Sequence, residues 1–140
     1  MISYQCDDDV KMPVIAKRQT NKWIRDVAAL HNKRVGDVAY IFCHDNKILE
    51  VNKQYLAHDY YTDIITFDYT ENQIINGDIF ISLDTVLSNS QLQGTDYNQE
   101  LHRVIIHGIL HLCGINDKGK GERAKMEQAE NEALRLISLL

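Results

Sequence analysis

One stretch constrains the chain more than any other: Val104-Ile105-Ile106-His107-Gly108-Ile109-Leu110-His111-Leu112-Cys113-Gly114, followed by Ile115-Asn116-Asp117. Wound as a helix at about 100° per residue, its apolar side chains from Leu101 to Leu112 cover nearly the whole circumference. A helix of that kind belongs in the interior. Two histidines are set into it. His107 and His111 are four residues apart, differ by about 40° and share one face. That spacing lets two imidazoles hold one metal ion. Gly114 supplies a helix stop, because glycine takes the left-handed conformation without steric cost. Asp117 then returns within reach of the same face. The three donors leave a zinc-like ion one open position for water. Histidines so spaced are more often polar passengers than ligands. Here the apolar surroundings weigh against that, since unpaired imidazoles are costly to bury. His102 falls outside the set, about 140° from His107 and about 180° from His111.

The same stretch resembles the signature His-Gly-x-Leu-His-Leu-x-Gly-Tyr-Asp-His of the YbeY family of bacterial rRNA-maturation endoribonucleases. Thr62-Asp63-Ile64-Ile65-Thr66-Phe67 is similar to that family's Thr-Asp-Val-Leu-Ser-Phe, and Gly77-Asp78-Ile79 to its Gly-Asp-Ile strand. The three motifs occur in the family's order and spacing over most of the chain. The resemblance implies a mixed sheet with a zinc site in a cleft. It implies one divalent metal ion, zinc foremost, on His107, His111 and Asp117. It implies a metal-dependent single-strand endoribonuclease that matures the 3′ end of small-subunit rRNA in ribosome biogenesis and quality control. The partners are then an rRNA precursor and small-subunit ribosomal proteins. Two positions depart from the pattern. Asp117 stands where the family has a third histidine, after Ile115-Asn116 in place of Tyr-Asp. A carboxylate there lowers the charge of the centre and shifts its preference towards harder metals. Leu56 ends Asn52-Lys53-Gln54-Tyr55-Leu56, where the family carries an arginine, and can make no phosphate contact. These departures leave an alternative open: a non-catalytic RNA- or protein-binding biogenesis factor with a structural metal.

Gly108 follows the first histidine, where a His-Glu-x-x-His metalloprotease has its general base, so a peptidase of that type is disfavoured. Lacking a side chain, Gly108 either leaves open space beside the metal or lets another element pack close. A bound divalent ion would lower the pKa of its water and polarise a phosphoryl oxygen. Beyond that water no catalytic group is assigned. Asp63 and Asp78 are candidate bases, set against plain turn and strand-edge roles.

A net charge of −5 argues against nucleic-acid binding by the whole surface and asks for a local basic patch. Residues 14–31 provide one as an amphipathic helix. Ala16, Trp23, Ile24, Val27 and Leu30 share one face; Lys17, Arg18, Lys22 and Arg25 share the opposite one. That basic face is either simply solvated or in contact with RNA phosphates. Lys53 and Arg103 are alternative guides.

The remaining pattern gives an α+β class: a mixed sheet of about four strands with about five helices, and the metal site on a central buried helix. Strands are expected at 2–6, 38–43, 64–69 and 78–82, with the first two parallel across a right-handed crossover. Helices are expected at 14–31, from Asp45 to about residue 55, from Asp84 to residue 93, around His107, and from residue 122 onward. In the last, Met126, Ala129, Ala133, Leu136 and Ile137 form an apolar stripe. Asp45 and Asp84 read as helix caps. Asn76-Gly77 reads as a turn, and His58-Asp59-Tyr60-Tyr61 as a loop. Lys118-Gly119-Lys120-Gly121 reads as a flexible link. The 140 residues form one domain, 1–140. Cys6, Cys43 and Cys113 are irregularly spaced and read as reduced thiols of a cytoplasmic protein. The start lacks a signal-peptide pattern. The longest apolar run is too short to cross a bilayer.

Overall fold

The structure is a computed structural model and describes residues 1–7, 9–56 and 62–137. Along the chain the elements run β1 (Ile2–Cys6), α1 (Lys17–Leu30), β2 (Arg34–Cys43), α2 (Asp45–Leu56), β3 (Ile64–Asp68), β4 (Ile74–Ser82), α3 (Leu83–Gln93), α4 (Tyr97–Leu112) and α5 (Glu122–Ile137). This is the expected α+β class, with four strands and five helices. The sheet order is β1-β2-β4-β3. β1 and β4 both run parallel to β2, and β3 runs antiparallel to β4. The loop expected at His58, Asp59, Tyr60 and Tyr61 lies outside the described residues.

α4 takes the central place its composition demanded. Leu101, Val104, Ile105, Ile106, Ile109, Leu110 and Leu112 are all buried. They pack with Val38, Tyr40 and Phe42 of β2, Ile75, Ile79 and Ile81 of β4, and Trp23, Ile24 and Val27 of α1. Two buried polar atoms fasten the neighbours. Tyr40 Oη donates to the Ile105 carbonyl at 2.8 Å. Trp23 Nε1 donates to the Ala133 carbonyl at 2.7 Å, tying α1 to α5. α2 covers the other face of the sheet, where Cys43, Ile48, Val51 and Ile65 form a second cluster. The three cysteines are free thiols. Burial pushes the Cys43 thiol up to about 12 and the Cys113 thiol up to about 11, so both stay protonated and unreactive. Among the described residues no helix is long and apolar enough to cross a membrane.

The end of α4 decides where the chain goes next. Gly114 sits at φ 99°. Its N–H donates to the His111 carbonyl at 3.0 Å, and Ile115 N–H donates to the Leu110 carbonyl at 3.1 Å. These are the two bonds of a Schellman stop. They turn the chain back so that Asp117 meets the helix it has just left.

Several local readings change. β2 begins at Arg34 rather than residue 38, with a register irregularity between Val35 and Val38. Polar Gly36-Asp37 had broken the apolar run; in the fold Asp37 N–H donates to Asn76 Oδ1 at 2.8 Å. Asn76 and Gly77 are inside β4, not a turn. The reversal comes earlier, at Asn72, whose φ is 56°. Gly77 is needed for close approach instead: a Cβ there would lie 2.6 Å from the Phe67 carbonyl oxygen and 2.9 Å from Leu112 Cδ2. Ser82 caps α3, accepting from Thr85 N–H at 3.3 Å. Asp84 serves α2, accepting from Asp45 N–H at 3.0 Å. Leu30 and Leu136, expected on core stripes, are exposed. The Lys118–Gly121 link is bonded to the helix after it, since Gly119 N–H donates to Glu122 Oε1 at 2.6 Å.

Two outcomes follow for stability. Gly77→Ala forces β3 and β4 apart beneath α4 and should lower the unfolding free energy by about 2 kcal/mol in urea denaturation; an unchanged midpoint would refute the close-approach account. His44 Nδ1 donates to Asp84 Oδ1 at 3.1 Å, and that bond with the Asp84 charge raises the His44 pKa. Burial works against ionising Asp84, but the Asp45 N–H and His44 prevail and lower its pKa. The His44 share of stability is therefore complete below its unfolded pKa of about 6.5 and fades as pH rises through the folded value. The Asp84 share is present above about pH 3.9 and fades as pH falls through its lowered value. In Asp84→Asn the His44 titration midpoint, read by NMR, should move down towards about 6.5; a midpoint equal to the parent's contradicts the pairing.

Candidate functional site

α4, α5, the start of β3 and the α3–α4 junction enclose a cleft of about 1300 Å³. One polar line of α4 faces it. Glu100, Arg103, His107 and His111 recur every three or four residues, the spacing of a single helix face, and all four line the cleft. Asn98, Gln99, His102 and Val104 also line the cleft, and most of the remaining α4 side chains are turned to the core. His102 follows the wheel away from the two site histidines: it packs on the Trp23 ring with centroids 5.9 Å apart, and Nδ1 donates to the Asn98 carbonyl at 2.7 Å.

His107 is held from both sides. Its Nδ1–H donates to Glu130 Oε2 at 2.7 Å. Its Nε2 lies 3.3 Å from Asp117 Oδ2. Glu130 is in turn fixed by Arg103, whose Nη1 donates to Oε1 at 2.7 Å while Nη2 donates to Asn131 Oδ1 at 2.7 Å. Burial disfavours charge on His107, yet the Glu130 hydrogen bond and the Glu130, Asp117 and Asp63 charges outweigh it, so its pKa is raised. Burial likewise opposes charge on Glu130, but His107 and Arg103 bring its pKa below the usual carboxylate value. Asp63 lies at the mouth of β3, where its carbonyl accepts from Ser82 N–H at 2.9 Å. Burial raises its pKa, and the His107 charge works the other way.

The sequence-derived residues separate into two groups. His107, His111, Asp117 and Asp63 share the cleft. Asp78 does not. Along β4 the core-facing residues are Ile75, Ile79 and Ile81, so Asp78 points to the opposite face of the sheet, where Tyr69 Oη donates to it at 3.3 Å. Lys17, Arg18, Lys22 and Arg25 are exposed on α1, outside the cleft lining. Lys22 pairs with Asp26 at 2.8 Å. The cations that line the cleft are Arg103, Lys118, Arg123 and Arg135. Leu56 lines it too. Gly108 resolves to close packing: a Cβ there would lie 2.9 Å from Ile79 Cδ1 and 3.3 Å from Ile64 Cδ1.

Glu130 was missed by sequence reasoning, and a signal existed. Its position falls within the buried stripe Met126, Ala129, Ala133 of α5. A carboxylate on an apolar stripe needs a partner.

The His107–Asp117 pair has the spacing of two donors on a tetrahedral divalent cation. Two ligand atoms at about 2.0–2.1 Å from such an ion stand about 3.3 Å apart, which is the Nε2 to Oδ2 separation in the His107–Asp117 pair. The proton on Nδ1 is committed to Glu130, so Nε2 is the nitrogen left with a free lone pair, the arrangement in which a carboxylate orients a metal-binding imidazole. Among the described residues no three His, Cys, Asp or Glu side chains already surround a common point.

Comparison with known proteins identifies the lineage. Residues 5–138 match the family model described as Endoribonuclease YbeY. A protein named Endoribonuclease YbeY from Phocaeicola vulgatus is 69% identical over 139 residues, covering 99% of this chain and 100% of that protein. Another of that name, from Bacteroides thetaiotaomicron, is 65% identical over 133 residues, covering 95% and 96%. The solution structure of TM1509 from Thermotoga maritima shares the fold, with a TM-score of 0.65, 24% identity, and coverage of 97% of this chain and 91% of that one. The chain belongs to the endoribonuclease YbeY family.

Proposed function

We propose that the chain is a metal-dependent endoribonuclease that cuts single-stranded RNA in rRNA maturation, with one divalent cation, zinc foremost, held by His107, His111 and Asp117. The observation that carries this reading is His107 bracketed by Glu130 and Asp117 on the floor of a cleft. Family membership supports RNA as the substrate, since the relatives are named endoribonucleases.

When bound, the cation supplies a Lewis acid for a phosphoryl oxygen and acidifies a coordinated water. The chain's own groups do the rest. Glu130 fixes the His107 ring and strengthens Nε2 as a donor atom. Arg103 neutralises Glu130, so that carboxylate orients the ring without adding a net negative charge to the floor. Asp63 reaches the same cleft and is the candidate to accept a proton from the attacking water; Asp78 is set aside for that role by its place on the far face. Packed apolar residues of α4 and β4 beneath His107 keep the floor rigid. Lys17, Arg18, Lys22 and Arg25 are proposed to meet phosphates of RNA flanking the cleft rather than the phosphate being cut.

His107→Ala, His111→Ala and Asp117→Ala should each lower metal affinity by orders of magnitude and abolish single-turnover RNA cleavage, as chelator should in the parent. Full stoichiometric metal after dialysis of His107→Ala would refute the ligand assignment. RNA binding without cleavage by the metal-loaded parent would favour the non-catalytic biogenesis factor. Glu130→Gln should weaken metal binding by about 10- to 100-fold, read by competition with a chromophoric chelator; parent-like affinity would leave Glu130 no orienting role.

A further inference from the structure

The two walls of the cleft differ in kind. The α5 side, with the loop before it, presents Lys118, Arg123 and Arg135, none of them in an ion pair among the described residues, against the single unpaired carboxylate of Glu127. The α3–α4 side presents amides: Asn89, Gln93, Asn98 and Gln99. Among the described residues its one cation is Arg103, which is bonded to Glu130 and Asn131, and from residue 54 to residue 102 the chain contains neither lysine nor arginine. Among the described residues that wall offers a phosphate no unpaired lysine or arginine. It carries instead one carboxylate, Glu100, which is 7% exposed and lines the cleft.

Glu100 is a carboxylate short of donors. Among the described residues no hydrogen bond or ion pair reaches its oxygens. Arg103 lies one turn on, but its guanidinium is committed to Glu130 and Asn131. Burial raises the Glu100 pKa; Arg103 opposes this, and Asp63 and Glu130 add to it. With no protein donor, its oxygens are left to the cleft, where a ligand that brings N–H groups takes the place of water. Glu100 precedes His107 by seven residues, about 10.5 Å along the helix. It therefore serves a part of the RNA away from the phosphate being cut.

We propose that Glu100 and the amides beside it form a nucleobase subsite that selects guanine in single-stranded RNA, while Lys118, Arg123 and Arg135 hold the backbone along the opposite wall. The inference rests on the endoribonuclease reading above. An ionised carboxylate only accepts hydrogen bonds. Guanine alone presents two adjacent donors, N1–H and N2–H, on its Watson–Crick edge. Adenine and cytosine set an acceptor beside their amino group. Uracil flanks its single N–H with two carbonyls that the carboxylate repels. Unpaired bases are splayed and read on these edges in single-stranded RNA, and side-chain amides supply the remaining donors and acceptors.

The test uses the full chain as purified and 2′-O-methyl octamers, which resist cleavage: octauridylate, and the set carrying one guanine at each position. Fluorescence anisotropy should find a register at which guanine tightens binding by at least about fivefold. Glu100→Gln should reduce that ratio below about twofold and leave octauridylate affinity undiminished. Arg123→Ala/Arg135→Ala should weaken every octamer alike, keep the guanine ratio, and make the slope of log affinity against log salt shallower by about 1.4. Equal binding of guanine and uracil at every register overturns the subsite and leaves the endoribonuclease reading standing. So does a guanine preference that survives Glu100→Gln, or loss of octauridylate binding in that variant. No binding of any octamer by the parent overturns both.

Discussion

The hydrogen bond between His107 and Glu130 is the contact on which the site depends, because it joins two helices that approach from opposite ends of the last third of the chain. α4 is fixed by burial against the sheet, while α5 is fixed by its small residues and by the Trp23 bond to the Ala133 carbonyl. Only when both are seated does Glu130 face the imidazole. The two groups then stabilise each other's charged forms, and Arg103 completes the balance. A lone carboxylate or imidazole at that depth would be costly; together with the guanidinium they form a network whose members all have partners. The Schellman turn at Gly114 adds the last piece by returning Asp117 to the free nitrogen of the same ring.

The cleft gains its character from what α4 does not bury. Its polar line runs from Glu100 through Arg103 to His107 and His111, so one helix supplies two of the proposed metal donors, the neutralising cation and the carboxylate of the opposite end. The charge of the chain as a whole is negative, but among the described residues the unpaired lysine and arginines that line the cleft, Lys118, Arg123 and Arg135, lie on one wall. A polyanion entering the cleft is therefore oriented as well as attracted, with its backbone on the α5 side and its bases towards the amides.

Much of this was written in local sequence. The circumference of apolar residues around His107 could only be a buried helix, and Gly114 with Asp117 could be read as a stop and return. The parallel pairing of β1 with β2 followed from the helix between them, whereas the placing of β4 between β2 and β3 had no local signal. What local pattern did not carry was anything set by a distant partner. Asn76-Gly77 looked like a turn because glycine's role there is to admit the Phe67 carbonyl and Leu112, contacts invisible along the chain. Asp78 was a plausible base until β4's alternation turned it to the far face. The α1 cations were legible as a face, but not which way that face looks. Glu130 was passed over because an amphipathic helix is expected to carry glutamates, and only its place on the buried stripe distinguishes it from the exposed ones.

The most direct test of the account is an anomalous-difference map from crystals of the zinc-loaded protein, collected at the zinc edge. The account predicts one strong peak per chain within bonding distance of His107 Nε2, a ring nitrogen of His111 and an Asp117 carboxylate oxygen, with Glu130 still bonded to His107 Nδ1. A peak elsewhere, or no peak in the cleft of protein shown to carry zinc, would contradict it.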